Sequence, residues 1–187
     1  MASQKKESMP SELRIMSWNI NDMRDKLHGD KLNVSDFVEV LLGSTIFGLQ
    51  ETKKEVTLVN YRCHNKNRET SRSGGVCIGV HRSIEKYTTY VETSDEDFVA
   101  VRLSKEFTGH CREILVINVY DSPDNSSYKL KLFKNGVHPG KTLDRLLDFI
   151  AHQQDCDLYL MGDFNARTGR TNYMPRDLDW EDKSLQV

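Results

Sequence analysis

Three short apolar runs, each ending abruptly in oxygen-bearing side chains, constrain this chain more than any other feature. Leu158 to Met161 stops at Gly162-Asp163-Phe164-Asn165. Leu13 to Ile20 finishes in Asn19-Ile20-Asn21, and Thr45 to Leu49 runs into Gln50-Glu51-Thr52 and the basic pair Lys53-Lys54. Runs of roughly four to eight apolar residues bounded by turn residues read as buried strands. Side chains alternate along a strand, so Asp163 and Asn165 are expected on one side and Phe164 on the other. Strand ends that offer acids and amides, with no Cys or His among them, suit a hard cation such as Mg2+ and a phosphate.

Between these runs the chain alternates helical and extended patterns. Val34, Phe37, Val38, Leu41 and Leu42 keep helical spacing, so a helix is expected there, with Gly43 as its cap. Strands are expected over 75–80, after the Gly74-Gly75 turn, and over 97–103 and 112–120. Residues 121–127, Asp-Ser-Pro-Asp-Asn-Ser-Ser, read as a turn-rich loop. Leu143, Leu146, Leu147 and Ile150 place a second helix between 141 and 154, beside the strand that ends in Asp163. The pattern is that of a layered α/β domain. It contains no repeats, heptads or low-complexity tracts.

Composition excludes several classes. A chain of 187 residues allows one domain with a real core. No apolar run is long enough to cross a bilayer, and Met1 to Glu12 lacks the hydrophobic segment of a signal peptide. An intracellular protein, in nucleus or cytoplasm, is expected rather than a secreted or membrane one. Cys63, Cys77, Cys111 and Cys156 are widely spaced and make no zinc motif, so reduced thiols are expected. The net charge of −2 gives no global pull toward nucleic acid. Any such attraction falls to local patches: Lys53-Lys54, the segment Arg62 to Arg72 with Lys66 and Arg68, and Arg167 with Arg170.

Ser17-Trp18-Asn19-Ile20-Asn21, Leu49-Gln50-Glu51-Thr52, Asn118-Val119-Tyr120 and Gly162-Asp163-Phe164-Asn165 occur in an order and spacing that resembles the endonuclease/exonuclease/phosphatase family. Arg72-Ser73-Gly74-Gly75-Val76 and Gly162 to Gly169 are similar to segments of the apurinic-type endonuclease domains of non-LTR retrotransposons. The resemblance implies a four-layer α/β/β/α sandwich over residues 12–170, flanked by polar tails at 1–11 and 171–187. It implies that Glu51 and Asn19 hold a divalent metal, Mg2+ or alternatively Mn2+. Asp163 would align or deprotonate the attacking water, Asn165 would stabilise transition-state oxygens, and Tyr120 would contact the phosphate. Asn21 stands where relatives often carry an aspartate. Asn125 and Arg167 are further candidates for substrate or phosphate contact. DNA is the implied partner, in a longer parent protein carrying reverse-transcriptase or other C-terminal segments.

The resemblance fades after Asn165. Relatives continue into further strands and a Ser-Asp-His-type motif that supplies a catalytic histidine, whereas Ala166 to Val187 contains no His. The chain is therefore expected to be the N-terminal portion of such a domain, C-terminally truncated, with unpaired sheet edges and impaired catalysis. Two other functions stay open: hydrolysis of a lipid, inositol or RNA phosphoester, and a catalytically dead remnant or binding module. Taken singly, each candidate also has an ordinary structural explanation. An Asn at a strand end is usually a turn residue, a Glu usually a surface residue, and a sheet Tyr usually half-buried packing.

Overall fold

A computed structural model of the chain describes residues 12–27, 29–68, 74–123, 126–135 and 141–165. The expected tails at 1–11 and 171–187, and the candidates Asn125, Arg167 and Arg170, lie outside the described residues. The described residues form ten strands: β1 (Ile15–Asn19), β2 (Arg24–Asp25), β3 (Gly29–Asp30), β4 (Ile46–Gln50), β5 (Tyr61–Lys66), β6 (Val76–His81), β7 (Thr88–Val91), β8 (Phe98–Leu103), β9 (Glu113–Tyr120) and β10 (Cys156–Asp163). The helices are α1 (Ser35–Leu42), α2 (Lys105–Thr108), α3 (Ser127–Lys134) and α4 (Thr142–Ala151). The helix and strands expected from the sequence appear within a few residues of their places, and the Gly43 N–H closes α1 on the Glu39 carbonyl. The strands β5 and β7 and the small β2–β3 hairpin were not expected.

Two four-stranded sheets, ordered β1-β4-β6-β5 and β10-β9-β8-β7, pack face to face. The period of two along each strand explains the layering. Ile46, Val76, Ile78 and Val80 of the first sheet meet Val99, Val101, Leu103 and Val116 of the second in the central layer. Their sequence neighbours Phe47, Leu49 and Cys77 point outward, where Phe37 and Leu41 of α1 cover them. On the opposite side Phe98, Ala100, Leu115, Ile117 and Val119 are covered by Leu146, with Phe149 and Ile150 alongside. The four layers are therefore α/β/β/α, and strands buried on both faces read as the continuous apolar runs of the sequence.

A buried polar link joins the sheets. The Asn118 amide, on the inner face of β9, donates to the carbonyls of Leu49 and Cys77 at 3.0 Å each. Its oxygen accepts from Gln50, which also donates to the Ser17 hydroxyl. Gly48 makes room for this amide, since a Cβ there would lie 2.6 Å from the Asn118 oxygen.

One expectation fails. Leu158, Tyr159 and Leu160 are 46%, 43% and 43% exposed, so β10 is not a buried strand. It is the edge strand of its sheet among the described residues, with β9 as its one neighbour. Trp18 on β1, the corresponding edge of the first sheet, is likewise exposed.

Candidate functional site

Two parallel pairings assemble the site. β1 runs parallel to β4 with Asn19 opposite Gln50, and β9 runs parallel to β10 with Tyr120 opposite Asp163. Parallel neighbours finish at the same end, so each sheet delivers two strand ends to one rim. Ligands in α/β folds commonly bind outside such carboxyl ends.

Asn19 joins the two sheets at this rim. Its side-chain nitrogen donates to Glu51 at 3.0 Å and to Asp163 at 2.6 Å. The two accepting carboxylate oxygens thus lie no farther apart than the sum of those bonds, 5.6 Å. The amide oxygen accepts the Asn21 N–H at 2.9 Å. Only the amide nitrogen can face two carboxylates, so the network fixes which way the amide points.

The loops are knitted tightly behind these groups. Asp22 N–H donates to the Glu51 carbonyl at 2.8 Å, and Met23 N–H to that of Thr52 at 3.2 Å. Lys53 N–H reaches the Gly74 carbonyl at 2.8 Å, which ties the Glu51 loop to the Gly74-Gly75 turn. Asn21, Asp22, Glu51, Lys53 and Asn165 all have positive φ, between 42° and 92°. Non-glycine residues adopt this region at a cost, and such strain concentrates where the surrounding structure fixes a functional geometry.

Tyr120 is buried with its phenol facing Glu51; burial first, then the Glu51 carboxylate, push its pKa well above the ordinary tyrosine value. Asn165 departs from the expected strand alternation, because β10 ends at Asp163 and the chain turns. The Asn165 N–H closes on the Asp163 carboxylate at 2.9 Å, and its side-chain nitrogen donates to the Asp121 carbonyl at 2.7 Å. Lys129 of α3 in turn holds the Asp121 carboxylate at 3.2 Å.

Asn19, Glu51, Tyr120, Asp163 and Asn165 are thus brought together on one rim. Asn21 is exposed beside them and takes part through its backbone N–H. Sequence reasoning gave no role to Gln50 and Asn118, although an amide within the apolar run Ile114 to Val119 marks a buried polar partner. It also placed Arg68 in a surface patch, whereas the side chain is buried against Asp97.

Among the described residues, no three His, Cys, Asp or Glu side chains cluster as a ready metal-ligand set. The donor chemistry nonetheless fits a hard divalent ion. Glu51 and Asp163 converge without a lysine or arginine ion pair among the described residues, sharing one neutral amide instead. Two converging carboxylates are hard oxygen ligands of the kind such an ion takes while retaining waters. The four described histidines lie elsewhere: His64 stacks on Tyr90, His81 bonds Ser83, His110 sits beside Thr108 and His152 bonds the Asp148 carbonyl.

The sequence model of the endonuclease/exonuclease/phosphatase family matches residues 16–180. No curated protein matches the chain. Among solved structures it is similar to the endonuclease domain of TRAS1, a telomere-specific non-LTR retrotransposon, at 16% identity over 83% of this chain and 62% of that one, with a TM-score of 0.49. It is also similar to TDP2 from Caenorhabditis elegans (15% identity, 83% and 48% covered, TM-score 0.43). The catalytic domain of Xenopus laevis APE2 is a third (18% identity, 82% and 59% covered, TM-score 0.46). The chain spans less than two thirds of the length of each of these structures.

Proposed function

The chain belongs to the endonuclease/exonuclease/phosphatase family, and from that membership we propose that it is a divalent-metal-dependent phosphodiesterase acting on DNA. The observation that carries this reading is the Asn19 amide bridging Glu51 and Asp163. A site that gathers two carboxylates and, among the described residues, pairs neither with a lysine or arginine is suited to a cation and its phosphate.

Glu51 would hold Mg2+ or Mn2+, with Asn19 fixing the carboxylate. When bound, such an ion neutralises phosphate charge and stabilises the leaving 3′-oxygen. Asp163 orients the attacking water and takes its proton as the new P–O bond forms and the bond to the 3′-oxygen breaks. Its carboxylate is already held by the Asn165 N–H, which fixes the direction of that transfer. The Asn165 amide keeps a second N–H beyond the one given to Asp121, and this donor suits a phosphoryl oxygen. Tyr120 stays a neutral hydroxyl, a hydrogen-bond donor rather than a base.

None of the described histidines reaches this rim, so the described residues offer no imidazole to the developing charge. Loss of one such donor typically costs about a hundred- to a thousandfold in rate. Slow but metal-dependent nicking is the expected activity.

The test is nicking of supercoiled plasmid with Mg2+, comparing the chain with Glu51→Gln and Asp163→Asn. Nicking that stops on chelation and falls at least about a hundredfold in both variants supports the reading. Equal nicking by all three proteins would assign the activity elsewhere.

A further inference from the structure

Behind Tyr120 lies a largely buried charge network. Asp97 is its centre. Its carboxylate accepts from Arg68 at 2.5 Å, from Arg145 at 2.5 Å and from the Thr142 hydroxyl at 3.2 Å, while Arg145 also reaches Asp95 at 2.6 Å. Two arginines against two aspartates balance in charge, which is what a buried ion network requires.

Arg68 does more than close this pair. Its guanidinium carbon lies 3.9 Å from the ring centroid of Tyr128 and 5.1 Å from that of Tyr120, both within cation–π range. The Arg68 side chain is 1% exposed, and its Nε has no hydrogen-bond partner among the described residues. Among the described residues, the guanidinium thus meets Asp97 and these two ring faces. The fold clears space for this: a Cβ on Gly74, at φ +89°, would lie 2.4 Å from the Arg68 Nη1. Asp97 also grips Tyr120 directly, because its carbonyl accepts the Tyr120 N–H at 2.8 Å. One residue therefore holds both the backbone of Tyr120 and the cation packed on its ring.

We propose that Arg68 is a positioning residue, which, anchored by Asp97 and packed against the rings of Tyr120 and Tyr128, fixes the plane of the Tyr120 ring at the rim. Its consequence for catalysis rests on the phosphodiesterase reading, but the geometry does not. Lysine cannot replace it, because an ammonium has no planar face to pack between two rings.

The experiment uses the full chain with ring-labelled tyrosine. NMR at neutral pH follows the Tyr120 ring resonance, assigned by its absence in Tyr120→Phe, alongside plasmid-nicking kinetics with Mg2+. Arg68→Met, Arg68→Lys and Tyr128→Leu are compared with the parent. Tyr128→Leu keeps the ion network, so it carries the test should removal of Arg68 prevent folding. All folded variants are expected to shift the Tyr120 resonance. They should lose about ten- to a hundredfold in kcat, as misplaced groups do, with KM nearly unchanged. A Tyr120 resonance unmoved in the folded variants overturns the proposal, whatever happens to the rate, and so does full recovery in Arg68→Lys. A resonance that moves while the parent itself does not nick sustains the positioning role and overturns the hydrolase reading instead.

Discussion

Asn19 gives one amide nitrogen to two carboxylates, and like charges held that close repel unless a donor or a cation lies between them. Its value is therefore geometric: it keeps Glu51 and Asp163 facing each other across two sheets. Tyr120 complements it from the second sheet. Burial and the Glu51 carboxylate raise its pKa well above the ordinary value near 10, so the phenol keeps its proton wherever the fold survives. The sign of the linkage follows from a raised pKa. The contribution to stability is complete below the unfolded-state value and is lost as pH climbs through the folded one. If Tyr120 acts as a donor, nicking rates should show no downward limb from tyrosine ionisation between about pH 8 and about pH 10. Tyr120→Phe should lower the rate about ten- to a hundredfold with the same pH profile. A parent profile that falls with an apparent pKa near 9, and flattens in Tyr120→Phe, would make Tyr120 titrate within the working range and overturn that role.

Elements were legible where both their faces are buried. The runs in β4, β6, β8 and β9 are continuously apolar because one face meets the other sheet and the other meets a helix. β5 escaped notice because it is an edge strand: after Tyr61 it reads Arg-Cys-His-Asn-Lys, which looks like polar loop. The parallel pairing that brings Asn19, Glu51, Tyr120 and Asp163 to one rim has no local signature, since Asn19 and Asp163 are 144 residues apart. Only the motifs at the strand ends were visible. Arg68 was hidden for the same reason, as its partner Asp97 lies 29 residues away and no local pattern separates a buried arginine from a surface one. β10 misled in the opposite direction, its apolar run marking an exposed edge. Among the described residues such an edge has no strand neighbour beside Leu158 and Leu160, and it invites pairing with another chain. Leu160→Lys should therefore reduce self-association without loss of folding, because an edge lysine opposes strand addition. Sedimentation velocity across a concentration series tests it. Identical sedimentation of parent and variant would show that the β10 edge is not what associates.

Across the whole molecule, 28 acidic against 26 basic residues leave little attraction for a polyanion, and the arrangement reduces it further. Among the described residues, the cations that looked available in the sequence are engaged: Lys53 with Asp22 at 3.7 Å, Lys54 with Asp30, Arg62 with Glu85 at 2.7 Å, Lys66 with Glu92 at 3.5 Å, and Arg68 with Asp97. The exposed pairs among these add little stability, but each offsets a positive charge a phosphate would otherwise meet, and the Arg68 charge is buried. The rim itself carries Glu51 and Asp163. DNA should therefore approach through the divalent ion rather than through a basic surface. Each phosphate neutralised by the protein steepens the salt dependence of affinity by about 0.9 in log–log slope. A molecule built this way should bind a short duplex weakly, need Ca2+ or Mg2+ to do so, and show a slope of only about −1 to −3 between about 50 and 200 mM KCl. Fluorescence anisotropy with and without a chelator measures both quantities. A slope steeper than about −5 that persists in the chelator would mean that lysines and arginines govern binding, and the ion-led approach to the rim would be wrong.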